Sequence, residues 1–201
     1  MRVSCIRPLG EENLRGESPV RTALIGGIGN ILLGDDGIGP YVVSLLESQY
    51  SFGEEVEVTD LGTPALDLTH RLVGRHAVIL IDSVSNDDPP GTLNLYRKED
   101  IVRAASPQRL DPHSPALSEC LMAADMLGAS PENVLLVGIV GGCYEPGRPL
   151  STAVRESVEQ AMDAVLRELE RLGFRYERRA HPTETGIWWD QPLLSDPLSV
   201  R

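Results

Sequence analysis

Residues 22–47 constrain the fold more than any other part of the chain. Thr22-Ala23-Leu24-Ile25 is a short apolar run that reads as a buried strand. Gly26 to Gly39 (GGIGNILLGDDGIG) is a glycine-rich turn, and Tyr41-Val42-Val43-Ser44-Leu45-Leu46-Glu47 reads as a helix. A strand, a glycine turn and a helix in succession open an α/β sheet protein. Such turns lie at the carboxyl edge of the sheet, where ligands bind. Two adjacent carboxylates, Asp35 and Asp36, sit in this one. The first strand is predicted over about 21–27, with the helix starting near Gly39-Pro40, since proline is tolerated in a first helical turn.

The remainder repeats the alternation. Glu55-Val56-Glu57-Val58-Thr59-Asp60 has the period of a half-covered strand and ends in Asp60-Leu61-Gly62-Thr63-Pro64. A helix is expected through residues 65–72, with Thr63 as its N-cap and Pro64 at its first position. Ala77-Val78-Ile79-Leu80-Ile81 is a continuous aliphatic run, hence a central strand covered on both faces, and it is expected to terminate at Asp82-Ser83. Thr92 to Arg97 reads as an edge strand, 100–112 as irregular, about 116–127 as a helix, and Asn133 to Val140 as another buried strand. One long helix is predicted over about 151–172, its stripe formed by Val154, Val158, Ala161, Val165, Leu169 and Leu172 and its end set by Gly173. The expected architecture is an α/β fold in three layers: a mostly parallel, twisted sheet of about five strands with helices on both faces. The expected organisation is a flexible arm over 1–20, one α/β domain over 21–173 and a charged, proline-rich tail over 174–201. Trp188-Trp189 predicts that part of this tail docks, on its own domain rather than on a partner.

Charge and cysteine content limit the function classes. The net charge of −12 argues against nucleic acid and anionic membranes as partners, because both demand a basic footprint. The surplus of acids is compatible with a metal ion or a basic peptide, though it is also an ordinary solubility feature. No stretch of ~20 apolar residues spans a membrane, and the N-terminal residues lack the apolar core of a secretory signal. Cys5, Cys120 and Cys143 are too far apart for a CxxC metal site or a disulfide framework, so a reducing cytoplasm is the expected location.

Parallel topology gathers the residues that follow each strand. Asp35 and Asp36, then Asp60, then Asp82 come to one edge, and His113 lies in a proline-bracketed loop that can fold over it. Carboxylates with one imidazole suit a divalent ion such as nickel, zinc or manganese. Singly, each has a plainer reading: an aspartate after a strand is often a turn former or a helix cap, and a lone histidine is often a loop residue. Gly27-Ile28-Gly29 also begins like a dinucleotide fingerprint, with Asp60 as the ribose acid. Against that, Leu32 stands where the third glycine belongs, and two carboxylates would repel a diphosphate at the helix N-terminus. There is no GxSxG elbow. Cys143 is a conceivable nucleophile, but no histidine is evidently placed to activate it.

The run GIGNILLGDDGIG, with the strand before it, resembles the signature of the hydrogenase maturation endopeptidases. The resemblance continues in order over about residues 22–172. Asp60-Leu61-Gly62-Thr63 is similar to that family's D-G-G-T turn, and Ile81-Asp82-Ser83 to its strand-ending aspartate. Asp111-Pro112-His113 is similar to its S-P-H element, and Glu145-Pro146-Gly147 with Leu150-Ser151 to the loop before its final helix. It implies an endopeptidase that removes a short C-terminal peptide from the nickel-loaded precursor of a [NiFe]-hydrogenase large subunit. It further implies Asp36, Asp82 and His113 as metal-contacting and catalytic residues, and Asp60, Gly62 and Thr63 as substrate-recognising. The nickel would be supplied by the precursor, with cadmium or zinc as ions able to take the same place. Many members carry glutamate where this chain has Asp36, and Leu61 replaces a glycine of the D-G-G-T turn, which bears on the choice of substrate. The protein is expected to act as a monomer. The alternatives are a nickel carrier without proteolysis, which would bind the ion tightly by itself, and a nucleotide-binding regulatory module.

Overall fold

A computed structural model describes residues 21–64, 67–104 and 114–190. Its main sheet contains β1 (Ala23–Ile28), β3 (Val56–Gly62), β4 (Ala77–Val84), β5 (Leu93–Arg97) and β6 (Asn133–Val140). Their spatial order is β3-β1-β4-β6-β5. All neighbours run parallel except β5, an antiparallel edge strand beside β6. Two three-residue strands, β2 (Tyr50–Phe52) and β7 (Tyr176–Arg178), form a separate antiparallel pair.

Alternation along the central strands creates the two outer layers. Ala23, Ile25, Ile79, Ile81, Leu135, Val137 and Ile139 face one side. There they meet α1 (Ile38–Gln49), α5 (Thr152–Glu156) and α6 (Val158–Leu172). Leu24, Val78, Leu80, Val134 and Leu136 face the other, under α2 (Leu68–Leu72), α3 (Lys98–Ala104) and α4 (Ser114–Met126). Both faces of β1 and β4 are therefore dry, which is why these strands read as unbroken apolar runs. The three-layer α/β architecture expected from the sequence is the one found.

Several local expectations are corrected. Asp82 and Ser83 do not end β4: the strand continues to Val84, because β6 pairs with it as far as Val84↔Val140. The ladder to β1, by contrast, stops at Gly27↔Ile81. Helix α3 (Lys98–Ala104) occupies the start of the 100–112 stretch expected to be irregular. In α2 the N-cap is Asp67, without a side-chain cap bond, rather than Thr63. The long final helix is broken at Ser157, whose hydroxyl donates to the Val154 carbonyl at 2.7 Å and so replaces a helical backbone bond. The whole predicted stripe from Val154 to Leu172 is nonetheless buried, and Gly173 closes α6 in the left-handed conformation (φ 78°).

The connections diverge between β1 and β4. From β1 the chain passes through α1 to β3 on one side, then returns through α2 to β4 on the other. The carboxyl ends of β1 and β4 thus flank the switch point, where open α/β sheets bind their ligands.

A candidate active site at the switch point

After β1 the chain passes through Gly29 and enters a 3-10 turn, Gly34–Gly37, before α1 begins. The glycines are demanded by close approach. A Cβ on Gly27 would meet the backbone of Gly39 and Pro40, and one on Gly39 would meet the carbonyls of Ile28 and Ile81. Gly29 has φ 128° and would clash with the backbone carbonyl of Asp36. The start of α1 is thereby seated directly on the ends of β1 and β4, and the turn carrying Asp36 touches β4, the strand of Asp82.

The two adjacent aspartates have different tasks. Asp35 is fully buried and anchors the loop after β6. Its Oδ2 accepts from the Gly142 and Cys143 amides at 2.8 and 2.9 Å and from the Ser151 hydroxyl at 3.0 Å. Its Oδ1 accepts from the Ser151 amide at 2.7 Å. The Asp35 amide in turn donates to the Cys143 carbonyl at 2.8 Å. Cys143 thus contributes its backbone to this anchor. Asp36, only 5% exposed, makes a single such bond among the described residues: its Oδ2 accepts from the Asn30 amide at 2.7 Å. That bond orients the carboxylate without saturating it. Asp82, at 7% exposure, is the first residue of β4 beyond its ladder with β1. Ser83, next to it, shares a 2.9 Å hydrogen bond with the Tyr144 hydroxyl.

Asp60 does not join them. It is exposed, and its Oδ1 accepts from the Gly62 amide at 2.8 Å, an Asx turn that closes the end of β3. Its charge is felt by Glu47: burial raises the Glu47 carboxyl above its ordinary range, and the Asp60 carboxylate raises it further. Gly62 (φ 58°) is linked to the glycine turn, its carbonyl accepting from the Gly29 amide at 2.8 Å. Thr63 is exposed beside it. The pairing of β1 with β3 shifts between Gly27 and Ile28, so Leu61 is the extra residue of a bulge. Its side chain lies over Gly26, where any larger residue would collide with it, and packs on the core under α2 and α4. Leu61 is accommodated inward.

Asp111, Pro112 and His113 lie outside the described residues, and among the described residues no three metal-binding side chains converge. The donor set at the switch point is thus Asp36 and Asp82, two buried carboxylates of the hard type that divalent ions accept. The docking of the tail on its own domain, expected from Trp188-Trp189, is found: Trp189 packs on Tyr41 and Trp188 bonds the Ile31 carbonyl. Sequence reasoning assigned no role at the site to Asn30, which lies inside the glycine turn, or to the Ser151 side chain.

The chain is similar to known proteins over most of its length. The model of the hydrogenase maturation protease family HycI matches residues 40–168. The hydrogenase 2 maturation protease of Escherichia coli K12 is 34% identical over 151 residues, covering 75% of this chain and 92% of its own. The hydrogenase expression/formation protein HupD of Bradyrhizobium diazoefficiens is 31% identical over 160 residues, covering 79% and 83%. Among solved structures, the hydrogenase maturating endopeptidase HybD of E. coli superposes with a TM-score of 0.74 at 32% identity, over 79% of this chain and 98% of that one. The glycine turn, the parallel sheet and the extent of these matches together place the chain in the hydrogenase maturation protease family.

Proposed function

We propose that this hydrolase removes a short C-terminal peptide from the nickel-loaded precursor of a [NiFe]-hydrogenase large subunit, and that Asp36, Asp82 and His113 meet the precursor's nickel. The observation that carries the reading is the burial of Asp36 and Asp82 at the switch point, in a turn and a strand that touch. Carboxylates so enclosed are stabilised by a cation, and two oxygen donors with one imidazole form a set suited to nickel, with zinc or cadmium as substitutes. The ion belongs to the substrate; Asp36, Asp82 and His113 would hold it, and when bound it would supply Lewis-acid polarisation of a nearby carbonyl. The chain's own residues then have limited tasks. Asn30 holds Asp36 in one orientation, and the Asp35 anchor fixes the loop after β6 beside it. In this reading Asp60, Gly62 and Thr63, at the end of β3, contact the precursor rather than the ion; the exposure of Asp60 and Thr63 supports that role. No described helix is long and apolar enough to cross a membrane. In this reading the enzyme is cytoplasmic and acts as a monomer on a transient complex.

Intact-mass measurement of a large-subunit precursor, with and without nickel, tests this reading. Wild-type protein is expected to release one C-terminal peptide from the nickel-loaded form alone, whereas Asp36→Asn, Asp82→Asn and His113→Ala leave the precursor whole. Processing by Asp82→Asn at the wild-type rate would overturn the site, and processing without nickel would overturn the role given to the ion.

A further inference from the structure

The chain after α6 runs back along α1 from its C-terminal end to its N-terminal end. The β7–β2 pair starts it, with Tyr50 opposite Arg178. The Arg179 amide then donates to the Gln49 carbonyl at 2.7 Å, and the Thr183 amide to the Ser48 carbonyl at 3.1 Å. The hydroxyls of Ser48 and Ser44 donate to the carbonyls of Thr183 and Thr185. Ile187 is buried in the core. At the far end the Trp189 ring lies 5.6 Å from that of Tyr41, and a Cβ on Gly37 would come within 3.2 Å of its edge. Trp188 crosses Trp189 edge-on at 5.2 Å, and its indole N–H donates to the Ile31 carbonyl at 3.3 Å. Asp190 reaches Arg155 at 3.8 Å; burial and the nearby Asp190 carboxylate together push the Tyr41 phenol above its ordinary range.

We propose that residues 179–190 form a strap whose function is to hold the Asp36 turn, with Trp189 as a positioning residue for peptide excision. This rests on the reading of Asp36 as a site residue. The turn needs such support. It is rich in glycine, its 3-10 segment has no side-chain cap, and neither does the helix it opens into. The two tryptophans contact it on both sides of Asp36, at Ile31 and at Gly37. The strap lies beyond residue 168, the last residue that the family model matches. Trp189 serves by its shape: its indole nitrogen is buried without a hydrogen-bond partner among the described residues. The ring alone is therefore what the position requires; Trp189→Phe removes the stranded donor and keeps an aromatic ring against Tyr41, but lacks the outer Cη2 that faces Gly37.

The test compares Trp189→Ala, Trp189→Phe and Trp188→Phe. Each is followed by amide hydrogen exchange at Asn30, Leu33 and Asp36, with β4 and β6 amides as the reference, and by single-turnover processing of nickel-loaded precursor. Trp189→Ala is expected to lose protection in the turn but not in the core strands, and to slow the excision step by about 10- to 100-fold with little change in precursor affinity. Trp189→Phe, which keeps a ring against Tyr41 but not its reach to Gly37, falls between Trp189→Ala and wild type in both. Trp188→Phe, on the half-exposed residue, leaves the fold intact and loosens the turn more mildly. Unchanged turn protection in both Trp189→Ala and Trp188→Phe would overturn the strap. Lost turn protection with undiminished excision would overturn its part in catalysis. Asp36→Asn then separates the causes: if that variant also processes normally, the reading of Asp36 has failed rather than the strap.

Discussion

Asp35 and Asp36 are neighbours of identical chemistry, and replacing each by asparagine should give opposite results. The Asp35 carboxylate accepts four hydrogen bonds from the loop after β6, three at Oδ2 and one at Oδ1. An asparagine there keeps one oxygen. In its better orientation that oxygen stays at the Oδ2 position, and its NH2 then faces the Ser151 amide, donor against donor. A buried donor left unsatisfied costs about 1–3 kcal/mol, and bonds that lose a charged acceptor weaken by about 1 kcal/mol each. The Ser151 hydroxyl can rotate away, so the sum is about 3–4 kcal/mol. With a urea m-value of about 2 kcal/mol/M, the midpoint falls by about 1.5–2 M. Asp36 accepts one bond, from the Asn30 amide, which an asparagine oxygen can still accept. Its replacement should cost about 1 kcal/mol and abolish processing. Urea titrations followed by far-UV circular dichroism measure both. An Asp35→Asn protein within about 1 kcal/mol of wild type, or an Asp36→Asn protein destabilised as much as Asp35→Asn, would refute this division of labour.

Two further outcomes follow from other parts of the molecule. Glu168 is 4% exposed; burial pushes its carboxyl up, but the Arg171 and Arg97 guanidiniums outweigh burial and hold it down at about 2. Because its folded pKa is depressed, its contribution is complete above about pH 5 and is lost as the pH falls towards about 2. With both guanidiniums half exposed, that contribution is about 2 kcal/mol, and Glu168→Gln should flatten the acid limb of a stability–pH curve by this amount. Gly39→Ala should cost about 2–3 kcal/mol and reduce processing, since its methyl group meets the Ile28 and Ile81 carbonyls and lifts α1 from the strand ends. An alanine variant with wild-type thermal stability and activity would show that the helix does not depend on that contact.

What the sequence made legible was whatever repeats at short range. β1, β4 and β6 each contain a continuous aliphatic run (Ala23–Ile25, Ala77–Ile81, Val134–Val137), and the stripe of α6 recurs every three or four residues. What it concealed depends on contacts between distant residues. Nothing local distinguishes Asp35 from Asp36, because the partners of Asp35 lie 107 to 116 residues away. The β2–β7 pair joins three-residue strands too short to show a period. Helix α3 (KEDIVRA) offers few apolar residues from which to read a stripe. Ser157 interrupts a helix whose burial pattern continues through the break. At the site, the carboxylates could be located from the strand ends, and the ordered resemblance singled out Asp36 and Asp82. The bonds that fix the turn around them could not be located, because they come from the loop after β6 and from the chain's last described residues.

Both tryptophans of the chain lie in the strap, at 188 and 189, with none in the sheet or its helices. Tryptophan fluorescence of this protein is consequently a local signal. It originates at the glycine turn and responds to the undocking of a surface segment held mainly by hydrogen bonds and two rings. Segments of that kind open at lower free energy than a core of strands. An emission-detected melt therefore records release of the strap and lies at or below the transition seen by circular dichroism. Agreement between the two probes would mean that the strap and the sheet unfold as one unit. Separation would give the free energy with which the Asp36 turn is held.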